Sequence, residues 1–239
     1  MNGKTKQQVL GVLGGMGPLA SAEFIKTIYE VNLGCKEQES PVVIMYSDPT
    51  FPDRTEMFFK GRDDLLLDPL VDALTCLLDM GASRIVICCV TIHYLLPRLP
   101  QHLKDRVISL VDLVIDRLAE TGSKHLLISS NGTRKMEIFQ NHPRWASVSD
   151  YVVFPDETDQ EQLHSLIYEV KKNHSLDEIC SFVLSRLAKY RLSGFIVGCT
   201  EAHMAAKHLL LSNVNEIQID CVDPLMIVAK GGRDGRFYE

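Results

Sequence analysis

Positive charge is what this chain is short of. Its 25 Lys and Arg face 31 Asp and Glu, for a formal net charge of -6, so no basic field gathers nucleic acid or an anionic membrane. Long apolar runs are missing too: none approaches the roughly 20 residues that a bilayer-spanning helix needs. The opening stretch MNGKTKQQVLGVLGG breaks its apolar run with glycines and carries no small-residue cleavage pattern. No secretory signal is therefore expected, and cytoplasmic residence is. No flexible linker or low-complexity tract divides the chain, and 46% hydrophobic against 23% charged residues is the balance of a folded protein. At 239 residues it is long enough to bury a real core in one large domain or two small ones.

Cysteine is present, but in a number that argues against staples. The seven, at 35, 76, 88, 89, 180, 199 and 221, are odd in count and should be reduced thiols. Free Cys is among the most buried residue types, so core filler is the ordinary reading of each. Two of them share a setting. VICCVTIHYLL, from Val86, and FIVGCTEAHMA, from Phe195, each run from an apolar stretch through Cys to Thr and then His. In both, the His falls four residues after the Cys (Cys89 and His93, Cys199 and His203).

The surrounding pattern alternates short β-branched runs with amphipathic stretches. QVLGVLG, PVVIMYS, RIVICC, RVISL, HLLIS, YVVF, GFIVG and EIQID read as strands, too apolar for a half-solvated sheet. They fit a parallel sheet covered by helices on both faces. Pro18 suits a first helical turn, and Pro69 is placed to bend or divide the helix through DDLLLDPLVDALTCLLDM. LLDMGASRIVIC and RLAETGSKHLLIS repeat one join, with Gly81 and Gly122 at the left-handed position that ends a helix. Ser175 and Glu178 are spaced as a capping box. The expected fold is two similar α/β halves, each ending one strand in a cysteine. The first is expected to comprise residues 1–112 plus 209–239, the last strand and helix returning to it, and the second residues 113–208. The terminal GGRDGRFYE is expected to fray.

GVLGGMGPLA contains Gly15-x-Gly17-x-x-Ala20 between a strand and a helix, a literal dinucleotide fingerprint, with Asp48 at the end of the next strand. Asp48 lies 28 residues beyond Ala20, longer than the usual spacing of about 20. No Gly-Lys-Ser/Thr follows, which excludes a P-loop. The alternative is a tight turn whose N–H groups bind any anion, a carboxylate included.

In an open α/β sheet, ligands bind beyond the carboxyl ends of the strands, and a helix N-terminus there favours thiolate. Two thiols facing each other across one cleft suit a single reaction well. One removes a proton from a tetrahedral carbon, and the other returns a proton to the opposite face. The repeated Cys-x-x-x-His also permits a Cys₂His₂ metal site, although cap or supporting roles suit His93 and His203 better. Cys88, beside Cys89, should point to the opposite face. Arg54 sits in a turn-rich loop, SDPTFPDRT, and its guanidinium suits bidentate carboxylate binding. Its alternative is a solvated pair with Asp53. Thr91 and Thr200 are placed either to donate to a substrate or to cap a helix.

These segments resemble the aspartate/glutamate racemase family, the PLP-independent amino-acid racemases, and its aspartate racemase branch most. GVLGGMGPLAS, FPDRT, CVTIH, NGT, FPDETDQEQLHSLIYEVKKN and GCTE resemble the family's motifs in order along almost the whole chain. The resemblance implies two flavodoxin-like domains related by pseudo-twofold symmetry, with the site in the cleft between them, in a homodimer. It implies Cys89 and Cys199 as catalytic thiols, acting on the D and L enantiomer respectively. It implies Arg54 and Lys171 as carboxylate holders, and Met16, Val90, Thr91, Thr133, Thr200 and Glu201 as further substrate contacts. Neither metal nor cofactor is expected, and no lysine lies in a Schiff-base motif. Two departures touch substrate identity: Val90 stands where the family motif has Asn, and IDCVD, with Cys221, replaces an Asp-Thr-Thr pattern. The reading is therefore an amino-acid racemase, aspartate ahead of glutamate. The alternatives are a less polar substrate and a carboxylate-binding protein of the same fold without turnover.

Overall fold

A computed structural model describes residues 9–34, 36–211 and 219–234. In the first half, β1 (Val9–Gly14), β2 (Val42–Ser47), β3 (Arg84–Ile87) and β4 (Val107–Ile108) form a parallel sheet in the order β2-β1-β3-β4. In the second, β5 (His125–Ile128), β6 (Val152–Val153), β7 (Gly194–Val197) and β8 (Asp220–Val222) form another, in the order β6-β5-β7-β8. The two orders are the same permutation, so β1 answers to β5 and β3 to β7. This is the two-part α/β architecture that the alternating pattern implies.

The helices are α1 (Pro18–Val31), α2 (Arg54–Phe59), α3 (Asp64–Asp79), α4 (Gln101–Lys104), α5 (Leu110–Thr121), α6 (Asn131–Lys135), α7 (Glu157–Lys171), α8 (Asp177–Tyr190), α9 (Thr200–Leu211) and α10 (Pro224–Asp234). A 3₁₀ helix covers Thr91–Arg98. Pro18 opens α1. α3 runs unbroken through Pro69, which lies on its exposed side, where a carbonyl left unmet can face water. Gly81 (φ 101°) and Gly122 (φ 60°) take the left-handed backbone after α3 and α5, as the repeated join requires.

Strand alternation sorts the core into three parts. Ile85 and Ile87 pack with Leu66, Leu70, Leu74 and Leu77 of α3 on the outer face of the first sheet. Leu126, Ile128, Phe195 and Val197 do the same against α7 and α8 in the second. The alternate residues, Leu10, Val12, Val86, Leu127 and Ile196, share one cluster with α1, α5 and α10, which lies between the sheets. The halves therefore share a continuous apolar layer.

Three expectations are corrected. The last strand does not return to the first half: Gly194, Phe195 and Ile196 of β7 pair with Asp220, Cys221 and Val222. α10 does reach the first half, its Ala229 carbonyl accepting from Asn32 at the end of α1 at 2.8 Å. The Ser175–Glu178 capping box does not form, because α8 starts at Asp177, after Leu176, and the Ser175 hydroxyl instead accepts from the Asp177 N–H at 3.1 Å. Residues 231–234 of the terminal stretch are helical, not frayed, in α10. Most of EIQID (216–218) and residues 235–239 lie outside the described residues.

Candidate active site

Parallel strands deliver their following loops to one edge, and here the loops after β1, β3, β5 and β7 meet at one narrow pocket. Met16 stands two residues past β1 and Ser130 two past β5, while Cys89 stands two past β3 and Cys199 two past β7. All four line the pocket, joined by Asp53, Arg54, Thr55, Val90, Thr91, Ile167, Lys171, Thr200 and Glu201. Both thiols are nearly enclosed, 6% exposed for Cys89 and 4% for Cys199, so what reaches them must enter this space. Cys88 is buried in the layer between the sheets, on the face opposite to Cys89. Neighbouring strand residues alternate in this way.

Arg54 is not a solvated partner of Asp53. It opens α2, is buried, and donates from Nη2 to the Met16 carbonyl at 2.8 Å and from Nη1 to the Pro52 carbonyl at 3.0 Å. Burial opposes its charge, but the neighbouring Cys89 sulfur, Asp53 and Glu201 outweigh that and hold the guanidinium above its usual range. Asp53 caps α2 by accepting from the Glu56 N–H at 2.9 Å. Its other oxygen accepts from the Tyr168 hydroxyl of α7 at 2.7 Å, across the two halves. Burial and that carboxylate push the Tyr168 phenol up. Lys171, ending α7, lies 4.4 Å from the Tyr168 ring centre, so the ring sets where the ammonium stands.

The thiols differ in surroundings. Arg54 stands beside Cys89, whereas burial first and the Glu201 charge second push Cys199 well above the ordinary thiol range. Cys199 nonetheless precedes the first residue of α9, so the helix N-terminus is too weak to offset the burial.

The two threonines tie the thiol loops together. The Thr91 hydroxyl lies 3.1 Å from Ser130 Oγ and 3.0 Å from Thr133 Oγ1, and Thr200 donates to the Cys88 carbonyl at 3.3 Å. Each bond joins one half to the other, and both residues also line the pocket. Thr133 is set one layer back, buried and bonded to Thr91 and Ser130, and does not line the pocket. Ser130 does. Sequence reasoning passed over it, although its register, matching that of Met16, was available. Asp53, Thr55 and Ile167 carried no comparable signal.

The histidines are otherwise engaged. His93 Nδ1 lies 2.8 Å from the Cys89 carbonyl and its Nε2 accepts from the Leu110 N–H at 3.1 Å. Those bonds describe a neutral ring, and burial pushes its pKa down to about 4. His203 pairs with Asp223 at 2.6 Å and with the Thr27 hydroxyl at 3.0 Å. Both nitrogens of each ring are thus taken up away from any shared metal position. In the glycine loop, a Cβ on Gly17 would stand 2.2 Å from Glu201 Oε1, so a carboxylate packs against the glycine. A carboxylate there would repel a pyrophosphate, and Asp48 is occupied in accepting from the Thr50 N–H at 2.8 Å. The dinucleotide reading is set aside on both counts.

A model of the family described as Asp/Glu/Hydantoin racemase matches residues 13–230. Among solved structures, the chain is similar to the aspartate racemase of Picrophilus torridus (23% identity, TM-score 0.77, 97% of this chain and 99% of that one). It is also similar to the glutamate racemase of Francisella tularensis solved with D-glutamate (14%, 0.62, 98% and 84%). A third is the allantoin racemase of Pseudomonas fluorescens (9%, 0.57, 96% and 90%). At these identities the structures establish the shared fold. Among the described residues no helix is long and apolar enough to cross a membrane.

Proposed function

Since the chain belongs to the Asp/Glu/hydantoin racemase family, a family of isomerases, we propose that it is a cofactor-independent amino-acid racemase with Cys89 and Cys199 as its acid/base pair. One observation carries the reading: thiols delivered by equivalent strands of the two halves line one pocket with Arg54 and Lys171. Burial first and the Glu201 charge second favour the thiol form of Cys199. The Cys89 sulfur takes the proton from Cα, leaving the bond's electron pair on carbon. The Cys199 thiol then gives its proton to the opposite face and becomes the thiolate. The reverse direction exchanges the roles, Cys89 serving the D enantiomer and Cys199 the L. Fixed hydrogen bonds and the two cations stabilise the carbanion, a task that PLP performs elsewhere.

Two cations in one small pocket fit a substrate with two carboxylates, aspartate ahead of glutamate. Arg54 and Lys171 take one each. Val90, buried at the pocket wall where an amide is the family pattern, is the observation that favours a less polar side chain instead. Incubation with each L-amino acid in D₂O, with no added cofactor and chiral separation of products, decides among these. Aspartate should give the D enantiomer carrying one deuteron at Cα. Inversion of apolar amino acids alone would move the substrate, and no inversion of any would reduce the chain to a carboxylate-binding protein. A homodimer in the cytoplasm completes the proposal, and sedimentation of the purified protein checks the assembly.

A further inference from the structure

Away from the pocket, α1 and α9 are joined by a buried polar cluster that the proposed chemistry does not use. Thr27 of α1, His203 and Lys207 of α9 and Asp223 before α10 are each more than nine-tenths buried. Lys207 Nζ donates to the Thr27 hydroxyl oxygen at 2.9 Å, to Glu30 Oε2 at 2.6 Å and to the Glu23 carboxylate. The same Thr27 oxygen lies 3.0 Å from His203 Nε2, and His203 Nδ1 lies 2.6 Å from Asp223 Oδ2. Burying an ammonium costs free energy that apolar packing would not. Apolar faces can slide on one another, whereas directed hydrogen bonds hold one axial setting. That setting matters here because both helices start at the pocket. α1 begins at Pro18, directly after Met16 and Gly17, and α9 at Thr200, directly after Cys199. Cys199, His203 and Lys207 recur at every fourth position, a single stripe along the helix. Glu23, Thr27 and Glu30 form the matching stripe on α1. At 1.5 Å per residue, Lys207 stands about 12 Å along the axis from Cys199, so it acts through the helix and not by touching the reacting atoms.

We infer that Lys207, through Thr27 and His203, is a positioning residue: it fixes the axial setting of α9 on α1, and with it the place of the Cys199 sulfur. This rests on the racemase reading and gives one of its two thiols a support that spans the halves. His93, the counterpart of His203, is bonded instead to backbone groups of its own half. Losing the Lys207 contacts should therefore harm the proton transfer made by Cys199 more than the one made by Cys89.

Exchange of the α-proton in D₂O, followed by NMR beside chiral separation of the products, reads the two transfers apart. The substrates are L- and D-aspartate, or both enantiomers of whichever amino acid the wild-type protein inverts fastest. In Lys207→Met, which removes the ammonium and keeps the length, exchange from the L enantiomer should slow roughly 10- to 100-fold, the cost of a misplacement of about 1 Å. The kcat/KM for inversion must fall equally from either side, because enantiomers have equal free energy. Exchange from the D enantiomer should fall less, so that the ratio of D to L exchange rises at least about fivefold over wild type. A general structural loss lowers both together and leaves that ratio unchanged. Lys207→Arg, which keeps the charge, should bring the ratio back toward wild type. Thermal melting should shift little, since the Glu23 and Glu30 side chains are 24% and 42% exposed and water can take up their charges. Should Lys207→Met fail to fold, the double variant Glu23→Gln and Glu30→Gln should raise the same ratio by a smaller factor. Equal loss for both enantiomers, or no loss, would overturn the inference while the two-thiol mechanism stands. If wild-type protein inverts no amino acid, the racemase reading falls first and the inference with it.

Discussion

The two halves of this molecule are built on one plan and charged on two. Each sheet has the same strand order, and each places a thiol two residues past the equivalent strand. Around Cys89 the chain puts Arg54, and around Cys199 it puts Glu201, with Lys171 acting against it. The histidines that follow differ too: His93 is held by backbone groups, while His203 is bonded to the Asp223 carboxylate. A duplicated frame can hold two identical groups across a cleft, but inversion needs them in different protonation states at any moment. On the proposed mechanism the asymmetry lies at Cys199, which burial and the Glu201 charge hold as the thiol.

The largest effect should come from removing either thiol. Cys89→Ala and Cys199→Ala should each lower racemisation by roughly 10²–10⁴-fold or more, with circular dichroism and thermal melting close to wild type. The halves should then separate. Cys199→Ala, keeping Cys89, should still exchange the α-proton of one enantiomer in D₂O without inverting it, and Cys89→Ala should do so for the other. Near-normal inversion in either variant would end the two-thiol mechanism.

Next comes stability against pH, to which His93 of the first half contributes. The folded protein refuses the His93 proton down to about pH 4, whereas the unfolded chain accepts it below about 6.5. That stability is complete above the unfolded value and lost as pH falls toward 4, by about 3 kcal/mol. Urea titrations at pH 7 and pH 4.5 should show the loss, and His93→Asn should flatten this part of the slope. An unchanged slope in the variant would assign the acid sensitivity elsewhere.

The smallest expected effect tests what joins the halves. Tyr168→Phe removes the hydrogen bond to Asp53 between the halves and should cost about 1–2 kcal/mol of stability. Because the ring that positions Lys171 is kept, KM should rise only a few fold with kcat nearly constant. A fall in kcat at unchanged KM would give Tyr168 a part in the chemistry that its geometry does not provide.

Much of this was legible in order along the chain. The apolar runs, the glycines at 81 and 122 and the twin thiol segments all depend on neighbours within a few residues, so periodicity and turn chemistry report them. Cys89 and Cys199 stood out because the strand-end setting is written twice. Ser130 was missed because its mate Met16 shares its register but not its residue type, and the family-like segment NGT drew attention to Thr133, three residues further on. The capping box failed by a single residue, the common margin of error at a helix end. Assigning β8 to the first half failed because a three-residue strand carries too little pattern to name its partner.

The sequence by itself determined a duplicated α/β frame and a sulfur at the same point in each copy, since local pattern sets both. The folded chain decided which charge stands beside which sulfur. Arg54, Lys171 and Glu201 come from three separate helices, so their meeting depends on how the halves pack. Electrostatic interaction falls with distance through space, and no spacing along the chain encodes that distance.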